Sequence, residues 1–327
     1  MVFFLKGEMK EKFYILAIDG GGYRGVYSAH ILKCIEDEFG ADWLKRFNLI
    51  AGTSTGAIIA AALACGLSAE KIEDFYRQHG QRIFQKRLFC PSGILGSQYD
   101  NRYLKKVLKD TYGDSRKLGQ IEIPLILPTT DIGIGCVHVL KSSYDKEFYR
   151  DKNRLVYEAV LASCSAPTYF DPYFMDTYLL ADGGLWANNP SLVAIVDAKR
   201  RLGQTLDSLK ILSIGTGEGR EFYSQADRWW RRFMGWGFLT RWGGSKFIDM
   251  LLNLQSQTTN NMVGLLLEQD QIVRINFKSD EKLKLDDPKE HKNLISLADN
   301  DFTHNAQKIK DFLGYKTGGQ NGIGRIL

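Results

Sequence analysis

Two glycine-rich blocks, about one βαβ unit apart, constrain this chain more than any other feature of its sequence. Residues 19–25 read Asp-Gly-Gly-Gly-Tyr-Arg-Gly, and residues 52–56 read Gly-Thr-Ser-Thr-Gly. Each block follows an apolar run typical of a strand and precedes a run typical of a helix. A tight turn in that context exposes a serine, so Ser54 is a candidate nucleophile. Consecutive glycines in the first block leave backbone N–H groups free to bind one anionic oxygen.

The second block predicts a strand, an elbow and a helix. Gly52 and Gly56 stand two residues before and two residues after Ser54. Residues without a Cβ let the strand and the helix approach closely around the serine. A serine hydroxyl is a poor nucleophile by itself, so ester hydrolysis also needs a base and donors for the tetrahedral oxyanion.

A third block supplies a candidate base. Asp182 follows an apolar strand-like run and precedes two glycines, Gly183 and Gly184. An aspartate at the end of a buried strand can take the proton of a serine. Asp-Gly is also a common turn dipeptide, so this block alone does not distinguish a base from a turn.

The first block also has the spacing GxGxxG from Gly20 to Gly25, which a dinucleotide-binding fold uses. Such a fold needs an acidic residue at the end of the next strand, about 20 residues further on. That strand ends instead in Gly52-Thr53-Ser54, and neither block has the Gly-Lys-Ser/Thr ending of a P-loop. A nucleotide-binding protein that uses Gly20–Gly25 and a non-catalytic membrane-binding module remain alternatives to an enzyme.

The order of the elements predicts an α/β fold with three layers, α/β/α, around a mostly parallel sheet. The predicted strands are residues 13–18, 47–51, 124–131, 136–141, 178–181, 209–214 and 272–277. The predicted helices are residues 26–39, 57–65, 69–79, 155–163, 191–202, 246–267 and 306–313. No linker or repeat divides the chain, so we expect a single domain over 1–327, with its motifs between about 14 and 217 and an aromatic insertion and C-terminal helical part over 218–327.

Composition excludes several classes of protein. A chain of 327 residues can bury a large core without disulfides or metals. Its five cysteines are odd in number, widely spaced and without a CxxC pair, so we expect reduced intracellular thiols and no metal site. The net charge of +5 is too mild to indicate DNA or RNA as a partner. Residues 1–13 are too short in apolar sequence for a secretory signal, which predicts a cytoplasmic protein.

Residues 49–67 carry no charge and approach the length of a membrane span, which is about 20 residues. The glycines, threonines and serine in their first half favour another interpretation. We expect a buried strand, a tight turn and a small-residue helix that packs against other protein.

With its three blocks in this order, the chain resembles the patatin-like phospholipases, a family of serine acyl hydrolases. The resemblance extends over residues 162–170, 188–190 and 212–217 and covers roughly 14–217. It implies a Ser–Asp dyad in which Ser54 attacks the acyl carbonyl and Asp182 acts as the base, with no metal or organic cofactor. It also implies an oxyanion hole at the glycine block, formed from Gly20, Gly21, Gly22, Arg24 and Gly25.

A free aspartate carboxylate is a weak base, with a pKa of about 3.9. The dyad therefore requires a desolvated site that raises the pKa of Asp182. Histidine is the usual base, and on chain order His291 or His304 could complete a triad. The resemblance, rather than the spacing, assigns all five histidines to structural or surface roles. These are His30, His79, His138, His291 and His304.

Residues 228–242 combine four of the six tryptophans with several arginines. This composition suits contact with anionic lipid headgroups, burial against the domain, or stacking on nucleobases. Some bacterial patatin-like proteins carry a similar insertion and degrade membranes in phage defence when a cyclic nucleotide activates them. The resemblance therefore implies a phospholipid membrane as substrate, a cyclic nucleotide as activator and action at the inner membrane. Oligomeric state and the role of Arg24, in the loop or on a substrate phosphate, stay open.

Overall fold

A mostly parallel sheet forms the centre of the computed structural model, which describes residues 12–87, 96–219, 242, 245–279 and 286–315. Eight strands of this described part form the sheet. Seven of them pair in the order β5-β6-β3-β2-β1-β7-β9, and the eighth, β4, pairs with β3 outside this order. A short pair, β8 and β10, stands apart. The strands are β1 (Phe13–Ile18), β2 (Leu49–Gly52), β3 (Leu125–Asp131), β4 (Cys136–Lys141), β5 (Tyr173–Met175), β6 (Tyr178–Asp182), β7 (Leu209–Ile214), β8 (Glu218–Gly219), β9 (Ile272–Ile275) and β10 (Lys278–Ser279).

Helices cover both faces of the sheet. Alternate residues of β1 belong to different cores: Leu16 and Ile18 pack in one cluster, and Ile15 and Ala17 pack in the other. Both faces of β1 are therefore buried, which explains its uninterrupted apolar sequence. The helices are α1 (Gly25–Phe39), α2 (Thr55–Ala64), α3 (Ala69–Ile83), α4 (Asn101–Tyr112), α5 (Val156–Ser163), α6 (Gly184–Ala187), α7 (Ser191–Arg200), α8 (Ser245–Leu266) and α9 (His291–Leu313).

The two cores confirm the predicted three-layer architecture. One cluster joins the sheet to α1, α2, α3, α4, α5 and α9, and the other joins it to α7 and the end of α8. Strands β1, β2, β3, β7 and β9 run in the same direction, whereas β4 and β6 are antiparallel to β3, and β5 is antiparallel to β6. The sheet is mostly parallel because helices connect its central strands, and the hairpins of the described residues lie on the β3 side.

Sequence patterns located the predicted strands within two residues at each end. Helix α4 was missed, although Asp100 caps it by accepting a hydrogen bond from Arg102 N–H at 2.8 Å. Its buried face, with Leu104, Val107 and Leu108, has the spacing of an amphipathic helix. The last helix was predicted from residue 306 only, whereas α9 begins at His291. Polar residues between its apolar ones hid the first four turns.

The uncharged residues 49–67 form β2, the serine elbow and α2, as expected. Helix α2 is buried over most of its length, including Ile59 and Ala60. In the described part of the chain, no helix combines the length and the apolar character that crossing a bilayer requires.

Gly56→Ala should destabilise the protein by at least about 2 kcal/mol because the added Cβ would lie 2.2 Å from the carbonyl oxygen of Ile18. The matched control is Gly264→Ala on α8, where the Cβ meets nothing within 4 Å. That change should stabilise the helix by up to about 1 kcal/mol. Denaturant unfolding measures both free energies, and equal effects would contradict the packing described here.

Candidate active site

Ser54 lies at the elbow between β2 and α2 in a backbone conformation that serine rarely adopts. Its φ is 55° and its ψ is −121°, which places a non-glycine residue at positive φ. Such strain costs on the order of 1–3 kcal/mol and persists only where the surroundings hold it. The Ser54 N–H donates to Ser163 Oγ at 3.0 Å, and the Ser163 hydroxyl donates to Pro128 O at 2.7 Å.

The flanking glycines of the elbow allow the strand and the helix to touch. A Cβ at Gly52 would lie 2.1 Å from Gly56 O, and one at Gly56 would lie 2.2 Å from Ile18 O. Real Cβ atoms do not come this close, so both positions require glycine. Thr53 closes the turn, since its hydroxyl donates to Ala187 O at 2.6 Å.

The first glycine block forms a loop and one 3-10 turn (Gly22–Arg24) between β1 and α1. Gly22 has a φ of 60°, which only glycine adopts without strain. A Cβ at Gly21 would lie 2.1 Å from Thr216 Oγ1, so the loop lies directly against the end of β7. Gly21 and Gly22 both line the cavity next to Ser54.

The backbone N–H groups of the five predicted oxyanion residues differ in whether a protein acceptor already binds them. Gly20 N–H donates to Asn188 O at 2.9 Å, and Arg24 N–H donates to Gly21 O at 3.2 Å. Gly25 N–H donates to Gly22 O and Tyr23 O. Within the described ranges, no acceptor pairs with the N–H groups of Gly21 and Gly22. These two are the donors that remain available to a ligand.

A buried ion pair fixes the start of this loop. The Arg274 guanidinium donates to both carboxylate oxygens of Asp19, at 2.8 Å and 2.6 Å. Ser256 Oγ donates to Asp19 at 2.6 Å, and Arg274 also donates to Ser213 Oγ at 2.7 Å. Sequence reasoning missed this pair, because no local pattern connects residues 255 positions apart.

Asp182 reaches Ser54 through an unusual strand arrangement. In the parallel pair, Ala51 of β2 lies opposite Ile126 of β3, so Thr129 is level with Ser54. Thr129 in turn lies opposite Asp182 of the antiparallel strand β6. The register therefore brings the end of β6 to the nucleophile from the opposite direction.

The Asp182 carboxylate accepts a hydrogen bond from Gly184 N–H at 2.7 Å and lies beside the Ser54 hydroxyl. Burial raises the pKa of Asp182 to about 6, although the Ser54 hydroxyl and the Gly184 N–H oppose the rise. The carboxylate is therefore a stronger base than a free aspartate and is still ionised at neutral pH.

The cavity beside Ser54 is mostly apolar. Besides Gly21, Gly22, Ser54 and Asp182, its walls include Ile58, Phe75, Ile83, Phe84, Leu104, Phe170 and Leu252. Such walls suit a long hydrocarbon chain, and they remove water from the carboxylate. The cavity therefore combines a substrate-shaped surface with the cause of the raised pKa.

Asn188 also lines this cavity, and its role was not predicted, although residues 188–190 carried part of the family resemblance. Its Nδ2 donates to Gly20 O at 3.4 Å, while its Oδ1 is buried without a hydrogen bond from the described residues. Cys164 lies below the nucleophile, where its thiol donates to Ser54 O at 3.1 Å. Burial raises the pKa of this thiol, and the charge of Asp182 adds to the rise.

None of the five histidines lines the cavity. His79 is hydrogen bonded to Tyr103, His291 to Tyr23 and His304 to Asn300 O. Burial lowers the pKa of His138. The structure thus brings no imidazole to Ser54, and Asp182 is the titratable group that lies beside its hydroxyl in the cavity wall.

His30 lies between two carboxylates, with Nδ1 2.7 Å from Glu73 and Nε2 2.8 Å from Asp299. Burial opposes the charge of His30, but hydrogen bonds with Cys34, Glu73 and Asp299 outweigh it and raise its pKa to about 10. His30, Cys34 and Asp299 are the one group of described residues whose ligand atoms lie close enough to hold a metal ion. Both imidazole nitrogens already have partners there, and no member of the group lines the cavity.

Arg24 is half-buried and is not a freely solvated surface arginine. Burial lowers the pKa of its guanidinium, and the nearby charges of Asp249 and Tyr169 oppose this effect. The Tyr169 hydroxyl donates to Asp249 at 3.0 Å. Arg24 thus faces α8 behind the glycine loop. Residues 220–241, which hold most of the predicted aromatic segment, lie outside the described residues.

Comparison with known proteins shows the family of this chain. Residues 16–195, more than half of the chain, match the family model described as Patatin-like phospholipase. The chain belongs to this family. The chain is a lipid acyl hydrolase of the patatin-like type.

Several relatives extend the match beyond that region. A cGAMP-activated phospholipase of Vibrio cholerae is 29% identical over 339 aligned positions. The alignment covers 93% of this chain and 95% of the relative. Another cGAMP-activated phospholipase, from Pseudomonas aeruginosa, is 30% identical and covers 88% of this chain and 83% of the relative. Patatin-like protein 2 of Arabidopsis thaliana is 30% identical, with 76% and 70% covered.

Arg274→Met should lower the free energy of unfolding by about 3–5 kcal/mol because it leaves the buried Asp19 carboxylate without its partner. Lys106→Met serves as the control, since it breaks an exposed ion pair with Asp110 and should change stability little. Denaturant titration followed by circular dichroism measures both. Equal stabilities of the two variants would show that the Asp19–Arg274 pair does not hold the loop.

Proposed function

We propose that this protein hydrolyses fatty-acyl esters of membrane phospholipids through a Ser54–Asp182 dyad. The observation that carries the proposal is the juxtaposition of a strained, half-buried serine and a desolvated aspartate in the wall of one apolar cavity. Family membership supports the reaction class.

The reaction proceeds in two steps. Ser54 Oγ attacks the acyl carbonyl carbon as Asp182 takes the hydroxyl proton, and the lysophospholipid alcohol then leaves with that proton. An acyl-enzyme on Ser54 remains. Asp182 next takes a proton from water, whose oxygen attacks the acyl-enzyme, and the fatty acid leaves as Ser54 recovers its proton.

The oxyanion of each tetrahedral intermediate binds to the N–H groups of Gly21 and Gly22. Their lack of described protein acceptors supports this choice over Gly20, Arg24 and Gly25, whose N–H groups donate elsewhere. Donors that are held in place before the reaction stabilise the developing charge without reorganisation. Gly20, Arg24 and Gly25 instead shape the loop.

A cyclic nucleotide activates this hydrolase in our proposal, and the enzyme then degrades the inner membrane of the cell in phage defence. The support comes from relatives named as cGAMP-activated phospholipases and from one named as a cUMP-AMP-activated phospholipase in Escherichia coli. We expect the protein to act as a peripheral enzyme from the cytoplasmic side. A membrane-binding module without catalysis would share the lipid contact but would not need the strained Ser54.

The activity of the enzyme should fall about tenfold for each pH unit below about 6. Asp182 accepts a proton only when ionised, and its pKa is raised to about 6, so the active fraction is lost as the pH falls through that value. A soluble short-chain ester measures kcat/KM from pH 4.5 to 8 without changes in lipid charge. Circular dichroism at each pH serves as the control for folding, and a midpoint near 4 would contradict a desolvated base.

Ser54→Ala and Asp182→Ala should each lower fatty-acid release from phospholipid vesicles by at least about a thousandfold. The control Ser68→Ala removes a helix-capping hydroxyl on the surface, at the start of α3, and should keep wild-type activity. Each protein is assayed with and without cyclic GMP–AMP, because a regulated enzyme is silent at rest. A fluorophosphonate should label wild type and Ser68→Ala but not Ser54→Ala.

Different results would identify a different function. Full activity in either dyad variant would exclude the dyad. Vesicle binding without fatty-acid release, together with no labelling of Ser54, would indicate a membrane-binding module. Tight binding of NAD or ATP without labelling would return the glycine block to a dinucleotide role.

A further inference from the structure

A second cavity lies behind the glycine loop, between α3 and the start of α9. Its volume is about 440 Å³. Ligand sites for small molecules commonly measure about 300–1,000 Å³. The residues that matter for its chemistry are Tyr23, Arg77, Gln81, Phe84, Lys289 and His291.

The walls of this cavity suit a nucleotide with phosphodiester groups. Tyr23 and Phe84 offer aromatic rings to a base, and Arg77 and Lys289 offer cations to phosphates. Helix α9 begins at His291, so the positive end of its dipole also faces this region. Among the described residues, by contrast, no lysine or arginine lines the apolar cavity beside Ser54.

The carboxylates of Asp74 and Asp287 reduce the positive charge of this cavity but leave its cations able to bind an anion. Arg77 pairs with Asp74 at 2.5 Å, and both side chains are partly exposed, so the guanidinium can turn to an anion at little cost. Asp287, also in the wall, accepts the Lys289 N–H at 3.1 Å and thereby caps the turn before α9. Its second oxygen offers an acceptor for the amino group of a base.

Two residues connect this cavity to the cavity beside Ser54. Tyr23 follows Gly22 directly in the 3-10 turn, and Phe84 lines both cavities. The Tyr23 hydroxyl is hydrogen bonded to His291 Nδ1 at 2.8 Å. Its ring lies against Gly80, where an added Cβ would come within 2.2 Å of Tyr23 Cε2. A ligand that contacts Tyr23 therefore acts one residue away from the Gly22 N–H.

We propose that this cavity binds the activating cyclic dinucleotide and that its occupancy sets the position of the Gly21–Gly22 N–H groups through Tyr23. The inference rests on the proposed function, because it names the site of the activator proposed there. The phosphodiesters contact Arg77 and Lys289, and one base contacts the rings of Tyr23 and Phe84.

The test compares the full-length wild type with Arg77→Ala, Lys289→Ala and the double variant. Isothermal titration calorimetry measures the Kd of cyclic GMP–AMP and of cyclic UMP–AMP. Fatty-acid release from vesicles of phosphatidylethanolamine and phosphatidylglycerol gives the nucleotide concentration for half-maximal activation. The matched control is Arg82→Ala, which removes a cation from the same helix as Arg77. The Arg82 guanidinium lies over the Tyr103 ring and outside the cavity.

We expect the double variant to weaken nucleotide binding at least tenfold and to shift half-maximal activation by the same factor. Maximal activity at saturating nucleotide should be kept, and Arg82→Ala should match wild type. A double variant that binds as wild type does would overturn the inference and leave the proposed function standing. A wild type that binds neither nucleotide would overturn the inference together with the proposed activation. Binding without hydrolysis in wild type would contradict the proposed enzyme, while the Kd values would still decide the inference.

Tyr23→Phe tests the connection between the two cavities. The variant keeps the ring against Gly80 but loses the hydrogen bond to His291. We expect a Kd within about twofold of wild type and a reduced ratio of activated to basal kcat, with little change in KM. A wild-type activation ratio would show that Tyr23 does not transmit occupancy of the cavity.

Discussion

The contact between Gly56 and the carbonyl oxygens of Ile18 and Asp19 is the constraint on which the rest of the site depends. A Cβ at Gly56 would approach these oxygens to 2.2 Å and 2.7 Å, so the first turn of α2 lies directly against the end of β1. Since Ser54 precedes that turn and the glycine loop follows β1, this one contact determines how far Ser54 stands from the N–H groups of Gly21 and Gly22. The hydrogen bonds to Ser163 and Ile18 then hold the strained elbow in place.

Burial serves the site in two different ways. Asp19 is buried with a bidentate partner, and the pair anchors the loop that presents Gly21 and Gly22. Asp182 is buried with no cation of the described residues against it, and desolvation raises its pKa to about 6. The same residue type therefore gives an anchor in one place and the proposed base in the other. The difference comes from Arg274, which contacts the first carboxylate, and from the apolar wall, which surrounds the second.

Local patterns predicted the features that have local causes. The glycine spacing around Ser54 follows from the close contact of strand and helix, and the continuous apolar runs of the strands follow from a sheet buried on both faces. The partner of Asp19 and the antiparallel direction of β6 depend on residues far away in the chain, which no spacing reveals. The division of N–H groups within the glycine loop also needed coordinates, because Gly20 pairs with Asn188 and the two following glycines do not. The Asp100 cap of α4, in contrast, was visible in the sequence.

The glycine block lies between two cavities, so the proposed activation requires only a small movement of this block. Its glycines face the acyl cavity, while Tyr23, the next residue, faces the cavity proposed for the activator. Loss of one oxyanion donor typically costs a factor of about 100–1,000 in rate, whereas allosteric coupling between two ligand sites is usually about 5–150-fold. A modest preference of the nucleotide for one position of Tyr23 is therefore enough to change the rate substantially, provided that the Gly22 N–H moves with the ring. Because the 3-10 turn joins the two residues covalently and Gly80 confines the ring, such coupled movement needs no rearrangement of the sheet or of Ser54.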